Sequence, residues 1–380
     1  MTDTASATGR NAASRLARIS LDRIIELQDP SGAYLASPTF SAYKGYAWFR
    51  DGAFTADAVS SAGGVESANR FFDWCARAIL DRAAQIEEII AAAEAGKPLP
   101  DADMLPARFR LDGSTGDDDW WDFQLDGYGT WLWAVAAHAQ RHELDAGRWA
   151  GAIELTIRYL LSSWRRPCFD WWEESTEQVH VSTLGCVAAG LRRAADSAGL
   201  DADIAEHARG AASEIRALIL EEGIANGGLA KWLGSSDTDA SLLALIAPLG
   251  LIEATSPIGL STIARISSEL AFEGGVHRYL LDSFYGGGQW PLLSCMLGLA
   301  FNAAGNSAGA FASLMWAAGT EGPSGSLPEQ VPNHLLAPEL RDQWIERWGP
   351  VANPLVWSHA MFLKLAIELN VISPTKTGEA

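Results

Sequence analysis

The stretch "DWWEES", residues 170–175, places Glu173 and Glu174 directly behind two tryptophans and an aspartate. A solvated acidic patch has no need of two large aromatics, and a core segment has no use for three carboxylates. A second isolated carboxylate, Glu329, stands in "SGSLPEQ" between Pro328 and Gln330. Two carboxylates on facing walls of a pocket can hydrolyse a glycosidic bond. One must be protonated to donate to the leaving oxygen, and the other must be ionised to activate water. Their pKa values must then be pushed apart by environment. Glu173, among Trp171, Trp172 and Glu174, has two reasons for a raised value: apolar surroundings and a like-charged neighbour.

The residues around this pair fit recognition of a neutral polyol. Arg50, Asp51, Asp126, Asp237, Asp239, Arg278 and Asp282 offer hydrogen-bonding groups to hydroxyls. The chain has 16 tryptophans. Trp48, Trp121, Trp172, Trp232 and Trp290 lie beside polar residues or glycine rather than inside aliphatic runs. An indole in such company presents a flat apolar face and a polar rim, matching the C–H face and hydroxyl rim of a sugar. Lys231 and Trp232, in "AKWLGSSDTD", are candidates for direct contact.

These residues need a frame. Helical periodicity dominates the chain and sustained alternation is almost absent. Twelve helices are expected: 14–28, 51–62, 65–95, 124–142, 148–164, 181–198, 202–221, 239–247, 259–272, 290–304, 307–318 and 354–369. Every second one is entered through a polar, aromatic stretch, such as "YAWFRD", "DDDWWDFQLDG", "DWWEES" or "HRYLLDSFYGGGQW". Six helix pairs with one decorated end predict an all-α fold, an (α/α)6 barrel. Its six inner helices bring their N-terminal loops, with the partial positive charge of helix N-termini, to one mouth. A single domain is expected over 12–371, with disordered tails at 1–11 and 372–380.

Bulk properties narrow the function. A net charge of −19 over 380 residues argues against nucleic acid and anionic membrane surfaces, which require clustered Lys and Arg. The four cysteines are far apart with no CxxC pair, as expected of reduced, buried thiols. The N-terminus has no apolar core of a secretory signal, and there is no run of 18 apolar residues to span a membrane; a cytoplasmic protein is expected. "HAQRH" has the i, i+4 histidine spacing of a helical metal pair but lacks the glutamate of HExxH, and reads as a solvated helix terminus. "YGGGQW" lacks the GKS/T of a phosphate loop. "GDDDWWD" does not match a calcium-loop spacing. No metal and no cofactor are expected.

The motifs "YAWFRDGAF", "QLDGYGTWLW", "DWWEES", "SLPEQ" and "NPLVWSHA", spread from residue 46 to 360, resemble glycoside hydrolase family 15, the glucoamylase family. The resemblance covers nearly the whole chain. It implies an (α/α)6 barrel and an exo-acting, anomer-inverting enzyme that releases glucose from non-reducing ends. It also implies Glu173 as general acid and Glu329 as general base. Arg50 and Asp51 would grip the hydroxyls of the departing glucose, and Glu174 would bind sugar near the cleavage point. Arg278 and Asp282 fall where the family places an arginine and a nearby acid. Trp121 and Gln124 precede Asp126 much as the family's Trp and Gln do, one residue closer than in fungal members.

"FQLDGYGTWLW" and "YGGGQWPLLS" look most like the short, single-domain bacterial branch of isomaltose glucohydrolase type. That implies an α-1,6-linked disaccharide or short isomaltooligosaccharide as substrate, in a protein whose oligomeric state stays open. The same mechanism on maltooligosaccharides, nigerose, kojibiose, trehalose or a non-glucose glycoside is the alternative. A phosphorolytic barrel enzyme and a catalytically dead sugar-binding protein are the remaining rivals; Glu329 speaks against the first and retention of both glutamates against the second.

Overall fold

The computed structural model describes residues 2–116, 120, 123–197 and 199–374. Six helices form a closed inner ring in chain order: α2 (Phe49–Ser61), α5 (Asp126–Arg141), α7 (Val181–Ala194), α9 (Leu243–Ile246), α11 (Pro291–Ala303) and α14 (Val356–Glu368), which returns to α2. These are the six helices expected inside. An outer layer packs on them: α1 (Thr2–Glu26), α3 (Val65–Leu80) with α4 (Ala83–Glu94), α6 (Ala150–Ser163), α8 (Ala202–Glu222), α10 (Pro257–Glu269) and α12 (Ser307–Ala318). The result is an (α/α)6 barrel.

Burial explains the division. Eleven consecutive residues of α14, Val356 to Lys364 and on to Ala366, are buried, as is α5 from Asp126 to Ala139. A helix buried all round belongs inside, whereas the outer helices bury one stripe. The inner helices approach closely where side chains vanish. A Cβ on Gly190 of α7 would lie 2.2 Å from the Gly129 carbonyl oxygen of α5.

Several boundaries depart from expectation. α1 starts at Thr2 rather than Ser14. The expected helix over 65–95 is two helices, because Arg82 leaves the helical path. Its guanidinium takes the Ala78 carbonyl at 2.9 Å and the Gly113 carbonyl at 3.0 Å, satisfying the end of α3. α10 begins at Pro257, with the Ser256 hydroxyl accepting the Gly259 N–H at 3.1 Å as its cap. The segment after Glu329, expected as a long loop, contains one further helix, α13 (Arg341–Trp348), none of whose residues is fully buried. Among the described residues, three short two-stranded antiparallel sheets decorate the mouth and the outer turns: β1 (Tyr46–Trp48) with the sequence-distant β2 (Arg108–Arg110), and two hairpins, β3 (Ile224–Ala225) with β4 (Gly228–Leu229) and β5 (Ala271–Phe272) with β6 (Gly275–Val276).

At the far end of α5, His138 corrects the expectation of a solvated terminus. It is fully buried, with Nδ1 2.8 Å from the Ser60 hydroxyl and Nε2 3.0 Å from Asn69 Oδ1. Burial and the neighbouring His142 push it down to about 3, so it is a neutral member of the core. All four cysteines are free and buried. Among the described residues, no helix is long and apolar enough to cross a membrane.

Candidate active site

A cavity of about 330 Å³ opens at the end where the inner helices begin. Its wall includes Arg50, Asp51, Trp172, Glu173, Glu174, Arg278, Trp290 and Glu329, eight residues singled out by sequence and drawn from five separate stretches of the chain.

The turn that carries Glu173 is tied by Asp170. Its Oδ1 accepts the backbone N–H groups of Trp172 and Glu174, each at 2.9 Å, and its carbonyl accepts the Glu173 N–H at 3.0 Å. This winding holds Glu173 at φ 63°, a left-handed conformation that a residue with a Cβ adopts only under constraint. The side chain is then gripped by two indoles. Trp48 Nε1 donates to Oε1 at 2.6 Å and Trp120 Nε1 to Oε2 at 2.8 Å. Burial raises the Glu173 pKa, while Arg50, the two indole N–H groups and Arg108 pull it back. Apolar surroundings thus act as expected. The neighbours that matter are Trp48 and Trp120, contributed by β1 and by the loop before α5, rather than Glu174.

Glu329 is held differently. Its backbone N–H donates to the Ala352 carbonyl at 2.9 Å, and Oε1 accepts the Tyr43 hydroxyl at 2.8 Å. Oε2 is buried and has no protein partner. Burial pushes the Glu329 pKa up to about 8 against the opposing pull of the Tyr43 hydroxyl and Arg278, and Asp51 and Asp282 add to the rise. Tyr43 and Trp48 pack edge to face at 5.3 Å, so each glutamate is bonded by one member of a single aromatic pair.

Two arginines sit behind the carboxylates. Arg50, in the first turn of α2, donates to Gln124 Oε1 at 2.7 Å and to Asp126 Oδ2 at 3.0 Å, with Asp51 Oδ1 at 3.4 Å from its Nε. Arg50 Nε and Asp51 Oδ1 have no hydrogen-bond partner in the protein. Burial lifts Asp51 to about 7 despite Arg50, with Glu173 and Asp126 adding to the rise. Arg278 is bound by both oxygens of Asp282 and reaches Glu174 at 3.4 Å. Its guanidinium stacks on Trp172 at 5.2 Å and Trp290 at 5.5 Å. Glu174 also accepts the Tyr279 hydroxyl.

Seven expected contact residues stand off the wall, Asp237 among them as an exposed residue. Gln124 and Asp126 orient Arg50, and Asp282 orients Arg278. Lys231 is buried between Asp239 at 3.2 Å and Asp170 at 3.7 Å. Asp239 in turn accepts the Trp172 indole N–H at 3.0 Å. Trp232 packs against His180. The remaining one, Trp121, lies outside the described residues. Sequence reasoning missed several wall residues: Tyr43, Trp120, Trp171 and Trp357, and Trp344, Arg347 and Trp348 of α13. For Trp120, Trp171, Trp344, Trp348 and Trp357 the signal was tryptophan beside polar residues, in "GDDDWWD", "DWWEES", "RDQWIERW" and "NPLVWSHA".

A helical barrel whose mouth pairs a buried and a partly buried glutamate with two arginines and a lining of indoles is the architecture of a glycoside hydrolase. The family known as Glycosyl hydrolases family 15 matches residues 11–320, and the chain belongs to that family. It is 49% identical over 360 residues to the isomaltose glucohydrolase of Kribbella flavida, covering 94% of each protein. A solved wild-type glycosidase superposes with a TM-score of 0.93 at 48% identity, covering 96% of this chain and 98% of that one. The glucoamylase of Saccharomycopsis fibuligera, at 15% identity and a TM-score of 0.73 over 96% of each chain, shares the fold.

Proposed function

We propose that this protein is an inverting exo-α-glucosidase that releases β-glucose from the non-reducing end of short α-glucosides, α-1,6-linked ones first. The observation that carries the reading is the pair of cavity glutamates with unequal ligation, Glu329 buried and Glu173 partly buried. Glu173 has a donor on each oxygen, and Glu329 keeps Oε2 without one. A buried polar atom left unsatisfied costs about 1–3 kcal/mol, and a water on Oε2 removes that cost while sitting where a base needs it. Arg50 Nε and Asp51 Oδ1 offer the same to sugar hydroxyls. Trp172 and Trp290 cover the C–H faces. The 49% identity to an isomaltose glucohydrolase supports the α-1,6 linkage.

Glu173 gives its proton to the glycosidic oxygen as the C1–O bond breaks. Glu329 takes a proton from the water that attacks C1 from the opposite face, so the α-glucoside leaves as β-glucose. Ionised Glu329 is served by the Tyr43 hydroxyl on one oxygen and by the attacking water on the other. Inversion calls for carboxyl groups roughly 6.5–9.5 Å apart.

A second assignment exchanges the two roles. Two indole N–H donors favour ionised Glu173, and burial lifts Glu329 to about 8, which suits Glu329 as the acid. The experiment is NMR of the newly released sugar from isomaltose, maltose, nigerose, kojibiose and trehalose, with wild type, Glu173→Gln and Glu329→Gln. α-Glucosyl fluoride serves as a substrate whose leaving group needs little protonation. β-Glucose first, mainly from isomaltose, with both variants inactive on it and only Glu173→Gln active on the fluoride, is expected. Activity on the fluoride in Glu329→Gln alone exchanges the roles, and α-glucose first refutes inversion.

A further inference from the structure

The loop that presents Glu329 has no helix or strand of its own to fix it. Four hydrogen bonds tie it to the start of α14 and the segment before it. Glu329 N–H reaches the Ala352 carbonyl and Leu355 N–H reaches the Leu327 carbonyl, each at 2.9 Å. The Ser358 hydroxyl donates to the Pro328 carbonyl at 2.7 Å. The remaining one involves an imidazole: the Leu327 N–H donates to His359 Nε2 at 3.1 Å. Leu327 and His359 are both fully buried, so this amide depends on the ring as its acceptor.

The contact fixes the chemistry of the ring. A backbone N–H can only donate, so Nε2 carries no proton, and the neutral imidazole holds its proton on Nδ1. Nδ1 lies 2.9 Å from the hydroxyl of Ser20 in α1, also fully buried, which accepts it. Burial, with Arg23 nearby, holds His359 far below the ordinary histidine range and keeps it neutral. A relay therefore runs from the outer helix α1 through one imidazole tautomer to the residue two before Glu329.

We infer that His359, locked in its Nδ1–H tautomer by Ser20, is a positioning residue for Glu329. It sets the depth at which the base loop enters the cavity. The inference rests on the reading of Glu329 as a catalytic carboxyl. His359 does not itself line the cavity, and its ring acts on Glu329 through the Leu327 amide. Removing the acceptor frees one side of the loop and leaves the sugar-gripping residues Arg50, Asp51 and Arg278 in place. The effect therefore falls on kcat and not on KM. A displacement of the order of 1 Å at a reacting group costs about 10- to 100-fold in rate.

The substitutions that test it are His359→Met, which has no acceptor in the plane of the ring nitrogen, and His359→Gln, whose side-chain carbonyl can take the Leu327 N–H. Ser20→Ala is a milder probe, since without its acceptor the ring is free to move its proton to Nε2 and face the amide with a second donor. Kinetics on isomaltose and on α-glucosyl fluoride are read together with hydrogen exchange over residues 326–331, and Glu329→Gln is the reference.

The expected result is a kcat lowered about 10- to 100-fold in His359→Met with KM within about twofold of wild type, and faster exchange in the loop. His359→Gln should recover most of both, and Ser20→Ala should fall between. An unchanged kcat and unchanged exchange in His359→Met, with Glu329→Gln inactive, overturns this inference alone. So does an equal loss in His359→Met and His359→Gln. A Glu329→Gln variant with wild-type kcat overturns the reading of Glu329 itself, whatever the exchange data show.

Discussion

Trp48→Phe removes one hydrogen and little else from the grip on Glu173. The ring remains to pack on Tyr43 and Trp120, which lie 5.3 and 6.4 Å from the indole. The second donor, Trp120 Nε1 at 2.8 Å, is untouched. The lost bond, 2.6 Å long, is charge-assisted when Glu173 is ionised and ordinary when it is protonated. A bond to a charged group contributes about 1.5–3 kcal/mol and a neutral one about 0.5–1.5, so the ionised form loses about 1–1.5 kcal/mol more than the neutral form. At about 1.4 kcal/mol per tenfold, the Glu173 pKa rises by about one.

Of the two limbs of kcat/KM for isomaltose, the one that reports Glu173 therefore moves up by about one pH unit. The limb that reports Glu329, which burial raises above the ordinary glutamate range, stays in place. The assay is initial rate against pH at isomaltose concentrations far below KM. A profile that does not move, or moves down, refutes the argument that the indole N–H stabilises an ionised Glu173.

Lys231→Met leaves Asp239 buried without its cation, and breaking a buried pair by removing one partner costs about 3–5 kcal/mol. Denaturant unfolding should show that loss, and loosening of Trp172 through Asp239 should raise KM. Gly190→Ala places a methyl 2.2 Å from the Gly129 carbonyl where α5 and α7 cross. Overpacking of this kind costs about 1–3 kcal/mol, and the thermal midpoint should fall.

The frame was readable because an inner helix and an outer helix differ in what precedes them. Polar, aromatic entries marked α2, α5, α7, α9, α11 and α14 before any packing was known, and those loops do meet at one mouth. Glu173 and Arg50 were readable for the same reason: charged groups near indoles at helix entries have no place in a core. Glu329, between Pro328 and Gln330, and Arg278, beside Tyr279, stood out as charges in the same kind of stretch. Direction was not readable. A loop residue near the mouth can face the cavity or the wall behind it, and sequence does not tell Asp51, which faces in, from Asp126, which turns back onto Arg50. Lys231 was read as a sugar contact and lies in a buried cluster with Asp170 and Asp239. Tyr43 carried no signal, because its partner Glu329 is remote in sequence. α13 escaped because an eight-residue helix with no buried face leaves no clear apolar stripe.

That helix has an evolutionary reading. Trp344, Arg347 and Trp348 reach the cavity from a segment that only bridges Glu329 and α14, and none of the six ring helices depends on its length. Insertions, deletions and substitutions between residues 332 and 350 would therefore reshape one wall of the cavity while leaving the sequence of the ring helices, and of the loops that carry Glu173 and Arg50, untouched.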